Sequence, residues 1–220
     1  MEHNIFSKRS SMINPSPLKE FFKRVKEAER KNGDTLSLGI GDLNLDTPGK
    51  IKKEAIKAIK SNRTHYVPES GSADLKEAIA EKYGCKSGEV IISSGAKPVI
   101  GAVLWSIIDK NDAVLVPSPY YPPFVEVLRS LEAGVVFIDT KKDGFQLSAK
   151  NIEQSIKRSG KTPKALIINS PNNPTGIEYK KTELEKIIEL GEKHGFVIIS
   201  DECYSHYSSD HDFTLRDLSS

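Results

Sequence analysis

The sequence predicts an α/β fold built on a mostly parallel sheet, and three observations lead there. Short apolar runs of strand length recur from about Glu89 onward, and segments with helical spacing separate them. The runs are continuous rather than alternating, as expected of strands buried on both faces. A repeated strand–helix–strand order favours parallel pairing with right-handed crossovers.

The elements follow in order. Pro17 to Lys31 reads as a helix with Leu18, Phe21, Phe22, Val25 and Ala28 on one face, ended by Gly33 and Asp34. Thr35 to Ile40 has the length of a short strand, and Gly41 to Pro48 reads as a loop. Pro48 to Lys60 and Ser72 to Tyr83 read as amphipathic helices joined by residues 62–71. The strand runs are Val90-Ile91-Ile92, Ala113 to Val116, Val135 to Ile138, Ala165 to Ile168 and Phe196 to Ile199. Between them lie helical patterns. Lys97 to Asp109 is mostly apolar, so it reads as buried. Pro122 to Glu132 spaces Phe124, Val127, Leu128 and Leu131 helically. Ser148 to Lys157 opens on a candidate cap at Ser148. Thr182 to Lys193 gathers Leu184, Ile187, Ile188 and Gly191 on one side and closes at His194-Gly195. No repeat, low-complexity tract or flexible linker divides the chain. The expected organisation is an N-terminal segment over 1–48 and one large domain over 49–220.

Composition excludes several classes. Of the 220 residues, 37% are hydrophobic, enough for a packed core, and the 28% that are charged argue against disorder of the whole chain. The formal charge of +2 gives no basic field for nucleic acid. Lysines interleave with glutamates, as over Lys50 to Ala55, the look of solvated helix faces. Cys85 and Cys203 are far apart and show no metal-ligand spacing, so two reduced thiols and no metal site are expected. Met1 to Ser11 is polar, unlike a signal peptide, and Val99 to Ile108 is too short to span a bilayer. These features favour a cytoplasmic protein without a nucleic-acid or membrane partner.

Six polar stretches stand at or beside these elements. Ser93-Ser94-Gly95-Ala96-Lys97-Pro98 follows a strand and opens a helix, where free backbone N–H groups make an anion site. On spacing alone it is equally a plain strand-to-helix turn, and it is neither a Walker loop nor a GxGxxG motif. Ser118-Pro119-Tyr120-Tyr121-Pro122-Pro123-Phe124 ends the next strand. It reads as an aromatic–proline turn closing the sheet, or as a stacking surface for a ligand ring. Ile167 to Gly176 ends an apolar strand in Ser-Pro-Asn-Asn-Pro-Thr-Gly, whose Asn-Pro and Thr-Gly pairs are turn chemistry. Phe196 to Ile199 runs into Ser200-Asp201-Glu202-Cys203-Tyr204, where Asp201 can cap a helix or face the crevice at the strand ends. Gly39 to Pro48 and His65 to Gly71 are the remaining two.

In order and spacing, these stretches from Gly39 to Tyr204 resemble the pyridoxal-phosphate (PLP) aminotransferases of class I/II, the aspartate aminotransferase type with fold type I. The resemblance implies a three-layer αβα large domain, a homodimer, and transfer of an amino group between an amino acid and a 2-oxo acid through pyridoxal 5'-phosphate. It assigns Gly95, Ala96 and Lys97 to the cofactor phosphate, with Pro98 a departure from the family pattern. Tyr121 would lie on the pyridine ring. Asn173 would donate to the phenolic oxygen beside Tyr204, and Asp201 would pair with the protonated ring nitrogen. A buried carboxylate raises the pKa of that nitrogen, and the charged ring draws electrons from the substrate Cα. Gly41 would offer its N–H to the substrate carboxylate, with Tyr121 and Asn173 also lining the substrate side; Leu43 stands near the family's proline. Tyr66 would reach the cofactor phosphate of the partner subunit.

One family feature is missing. The Schiff-base lysine of these enzymes falls, by alignment, shortly after Ser220, and residues 201–220 hold no lysine. Lys97 belongs to the phosphate end. The substrate-holding arginines, the last sheet strands and the C-terminal small domain would also lie beyond Ser220. The expectation is therefore a large domain incomplete at its C-terminus, inactive on its own, from a truncated product, a split gene or a fragment. Two other readings stay open: another fold type I PLP enzyme, of the C–S lyase or decarboxylase type, and a non-catalytic remnant or interaction subunit. The amino acid used cannot be read from these residues.

Overall fold

Buried apolar strands need cover on both faces, and helices with one apolar stripe supply it. The computed structural model of the chain describes residues 5–12, 17–33, 35–36, 39, 41, 45–208 and 214–218, without the side chains of 17–19. Its contacts divide it into two compact units: Met1–Ile13, Glu81–Cys85 and Ser93–Ser220 form one, and Asn14–Ala80 with Lys86–Ile92 form the other.

The first unit is built on a parallel sheet. Its strands are β1 (Ala113–Ser118), β2 (Gly134–Asp139), β3 (Pro163–Asn169) and β4 (Val197–Asp201), in the order β2-β1-β3-β4. The register aligns Ser118 with Asp139 and Asn169 with Asp201, so these strands finish at one edge. Strand alternation then sorts the core into two layers. Val114, Val116, Ala165 and Ile167 face a cluster with Ile100, Leu104, Phe124 and Leu128. Leu115, Ile138, Leu166 and Ile168 face the other, with Leu147, Ile152, Leu184 and Ile187. Helices α4 (Ala96–Ile107) and α5 (Pro122–Ser130) therefore cover one face, and α6 (Ala149–Ser159) and α7 (Lys181–His194) the other.

Local chemistry sets the helix ends. Ser148 caps α6: its Oγ accepts from Asn151 N–H at 3.3 Å, and Asn151 Oδ1 accepts from Ser148 N–H at 2.9 Å, a reciprocal pair that serves two otherwise free donors. Gly195 ends α7 at φ +71°, a left-handed value that glycine adopts without strain. Gly191 lets α7 approach β4 closely, since a Cβ there would stand 3.3 Å from Ile198 and Phe196 atoms.

The two sheet edges differ. At β2, Arg158 donates to the Phe137 carbonyl at 3.2 Å, and Tyr120 stacks on the Phe137 ring at 5.2 Å. At β4, Val197 is 52% exposed and Ile198 and Ile199 are half-buried, although the run is as apolar as the inner strands.

The second unit holds helices α1 (Pro17–Asn32) and α2 (Gly49–Lys60), and α3 (Ala73–Tyr83) begins there. Val90-Ile91-Ile92, expected as the first strand, forms none. Ile92 N–H donates to the Ser70 carbonyl at 2.9 Å, and Ile91 is exposed. A strand needs a neighbour to complete its ladder, and no described strand runs beside this segment. The short strand expected over Thr35 to Ile40 falls partly outside the described residues; Thr35, Leu36 and Gly39, which are described, are not in a strand. Asp34 of the expected helix stop also lies outside them.

Candidate functional site

The sheet edge where β1, β3 and β4 finish is the crevice side of a parallel sheet. Helix α4 returns over the sheet to Ile107, only a short turn before β1 begins at Ala113. Its 12 residues span about 18 Å, close to the roughly 20 Å of a six-residue strand. The N-terminus of α4 therefore lies at the same edge as the strand ends. Gly95 precedes it at φ +131° and no side chain caps it. The Ala96 and Lys97 N–H groups thus open the helix at its positive end, suited to an anion. Pro98 has no N–H to offer, so it removes nothing from those two. Gly95, Ala96 and Lys97 are all exposed.

Asp201 ends β4 and is 8% exposed. Its Oδ1 accepts from the Cys203 N–H at 3.1 Å. Burial pushes its carboxyl above the usual carboxylate range, and the Cys203 N–H offsets part of that. A desolvated carboxylate with this little support is suited to a cationic partner.

Tyr121 stands at the N-cap of α5, ahead of Pro122 and Pro123, which enter the helix without losing a needed N–H. Its half-buried ring meets Phe124 edge-on at 5.4 Å. Burial raises the Tyr121 hydroxyl pKa, and Tyr204, Asp201 and Cys203 each add to the rise. These four groups therefore share one neighbourhood. Tyr204 is 36% exposed, with its ring 6.4 Å from that of Tyr207.

The segment after β3 is held by its own polar groups. Asn172 N–H donates to the Ile177 carbonyl at 2.9 Å, and Gly176 N–H to the Asn172 carbonyl at 2.7 Å. Asn172 Oδ1 accepts from Thr175 Oγ1 at 2.8 Å, and Ser170 Oγ accepts from Tyr179 N–H at 3.0 Å. The Ser118-Pro119, Ser170-Pro171 and Asn173-Pro174 bonds are cis. Asn169, which sequence reading passed over, ties this loop to β4. It is 3% exposed; its Nδ2 donates to the Asp201 carbonyl at 2.9 Å and its Oδ1 accepts from Asn173 N–H at 2.7 Å. The one available signal was a polar residue closing an apolar strand.

The structure thus gathers Tyr121, Asn173, Asp201 and Tyr204, with Gly95, Ala96 and Lys97 at the same sheet edge. Gly41 and Tyr66 lie in the other compact unit. Gly41 is described and exposed, while residues 42–44 of its loop lie outside the described residues; Tyr66 is fully exposed. Among the described residues no cluster of His, Cys, Asp and Glu could hold a metal ion, and no helix is long and apolar enough to cross a membrane.

A parallel sheet with helices on both faces, a helix start free of a side-chain cap and a buried carboxylate at the strand ends define an α/β protein of layered architecture. The chain belongs to the aminotransferase class I and II family, which it matches over residues 33–218. It is 39% identical over 206 residues to a probable aspartate/prephenate aminotransferase of Aquifex aeolicus, covering 90% of this chain and 52% of that one. It is 34% identical over 216 residues to the aspartate/prephenate aminotransferase of Thermus thermophilus, covering 93% and 55%. Among solved structures, the aspartate aminotransferase of Thermus thermophilus with maleate superposes with a TM-score of 0.87 at 32% identity, covering 97% of this chain and 57% of that one. The aspartate aminotransferase of Rhizobium meliloti does so with a TM-score of 0.87 at 27% identity. The chain spans about half the length of the curated relatives it matches.

Proposed function

We propose that this chain is the cofactor-holding N-terminal part of an aminotransferase of the aspartate/prephenate type, which moves an amino group between an amino acid and a 2-oxo acid with pyridoxal 5'-phosphate. The observation that carries this is Asp201, whose buried carboxylate lies in the neighbourhood of Tyr121 and Tyr204 and whose backbone carbonyl is tied through Asn169 to the Asn173 loop. Bound pyridoxal phosphate supplies an electron sink for the substrate Cα. Gly95, Ala96 and Lys97 hold its phosphate at the start of α4. Tyr121 would offer its half-buried ring to the cofactor ring. Asn173 and Tyr204 would serve the phenolic oxygen, and Asp201 would hold the proton on the ring nitrogen. Gly41 serves the substrate carboxylate, and Tyr66 serves the phosphate of a partner subunit in a homodimer.

Residues 201–220 contain no lysine, and Lys97 stands at the phosphate end. In this reading the amine that the cofactor chemistry needs would come from polypeptide outside 1–220, so the isolated chain would not turn over. The test uses 4'-deoxypyridoxine 5'-phosphate, a ring and phosphate with no aldehyde, which needs no lysine. The 220-residue chain should bind it, Asp201→Asn should weaken it about tenfold, and purified chain should show no transamination. Failure of the wild-type chain to bind, or turnover by that chain alone, would sink the reading.

A further inference from the structure

Asn173 and Asp201 reach the site from different elements, one on a loop and one at a strand end, 28 positions apart in the chain. A planar ring can meet both only if their backbones are fixed relative to each other. Asn169 makes the direct link. Its carboxamide is buried, with one prong on the Asp201 carbonyl at 2.9 Å and the other on the Asn173 N–H at 2.7 Å. Ser170 N–H adds a longer bond to the same Asp201 carbonyl at 3.3 Å. The Asp201 carbonyl needs a donor and the Asn173 N–H needs an acceptor, so the orientation of the amide is set by its partners. A carboxamide presents one donor and one acceptor group on a short planar head. A carboxylate has no donor, and an aliphatic side chain of the same size has neither.

We propose that Asn169 is a positioning residue that locks the Asn173 loop to the β4 end, so that Asn173 and Asp201 address the same heteroaromatic ring in register. This rests on the cofactor reading given above. Asn169 does not touch the ring in this scheme; it acts through the two backbones it holds. A purely structural asparagine would lower stability when replaced and leave the electronic state of a bound ring unchanged. A positioning one also changes the protonation of that ring.

The experiment uses the 220-residue chain and 4'-deoxypyridoxine 5'-phosphate, whose ultraviolet absorbance reports ring-nitrogen and phenol ionisation. Wild type, Asn169→Leu and Asn169→Ala are titrated with the probe and then with pH, well below their unfolding midpoints. In both variants affinity should fall about tenfold, and the ring-nitrogen midpoint of bound probe should move down by about one pH unit. Amide hydrogen exchange on the ligand-free wild-type chain gives a readout that needs no variant. The Asn173 N–H should be protected on the order of a hundredfold. Unchanged affinity and midpoints in the variants, or an unprotected Asn173 N–H, overturn the role of Asn169 and leave the cofactor reading standing. Absence of probe binding by wild type overturns the cofactor reading itself.

Discussion

At the residue scale, the buried Asp201 carboxylate carries a cost. Its folded pKa is raised by burial. Between the ordinary carboxylate value and the raised one, the native chain keeps a proton that the unfolded chain has released. Stability therefore falls as pH rises through that window, and is fully restored only below the unfolded value. Asp201→Asn should remove this pH dependence and stabilise the ligand-free chain above the raised titration, as read from urea unfolding at several pH values. A loss of stability at neutral pH would show that the carboxylate is well supported after all. Tyr121→Ala should weaken the lysine-independent probe by roughly 0.5–1.5 kcal/mol, the scale of ring stacking, measured by equilibrium dialysis. Asp201 and Tyr121 were both legible in the sequence, because each follows an apolar run in a polar segment of recognisable order. Asn169 was not. As the last letter of a strand it reads as an ordinary end, and its role lies in a bond to a residue 32 positions away.

At the element scale, the helices were legible nearly end to end because their stop signals are local. The expected Ser148 to Lys157 helix is α6, and the expected cap is made by Ser148 with Asn151. Ser148→Ala should cost about 1 kcal/mol, and Gly195→Ala a similar amount from its left-handed backbone. Denaturant midpoints at unchanged slope would measure both; no loss at Gly195 would mean the turn relaxes. Strands are different, since a strand exists only with a neighbour. The runs at 113–116, 135–138, 165–168 and 196–199 found partners, and Val90-Ile91-Ile92 did not. All five look alike in composition, so periodicity alone cannot separate them.

At the scale of the whole molecule, β4 is an edge strand among the described residues, paired on one side with β3. Unpaired strand edges template further pairing unless charged or covered. At β2 Arg158 bonds the Phe137 carbonyl and Tyr120 stacks on the ring of Phe137, which is 40% exposed; at β4 Val197 is 52% exposed, and Leu215 N–H donates to Glu202 just past the strand. The isolated chain should therefore self-associate, and Val197→Lys should shift it toward monomer without changing its far-UV circular dichroism. Light scattering across a concentration series decides this; equal association of both forms would place the sticky surface elsewhere.

By itself, the sequence determined the fold class, the order of α4 to α7 and β1 to β4, and the family motifs, because apolar periodicity, caps and turn residues are local properties. The lack of a lysine after Asp201 was equally plain in the sequence. Only the tertiary structure decided that Tyr121, Asp201, Cys203 and Tyr204 share one neighbourhood, and that Asn169 ties the Asn173 loop to β4. It also decided that 90–92 is not a strand and that β4 stands at an edge. These depend on which segments meet across long stretches of chain, and burial and pairing arise only once they have met.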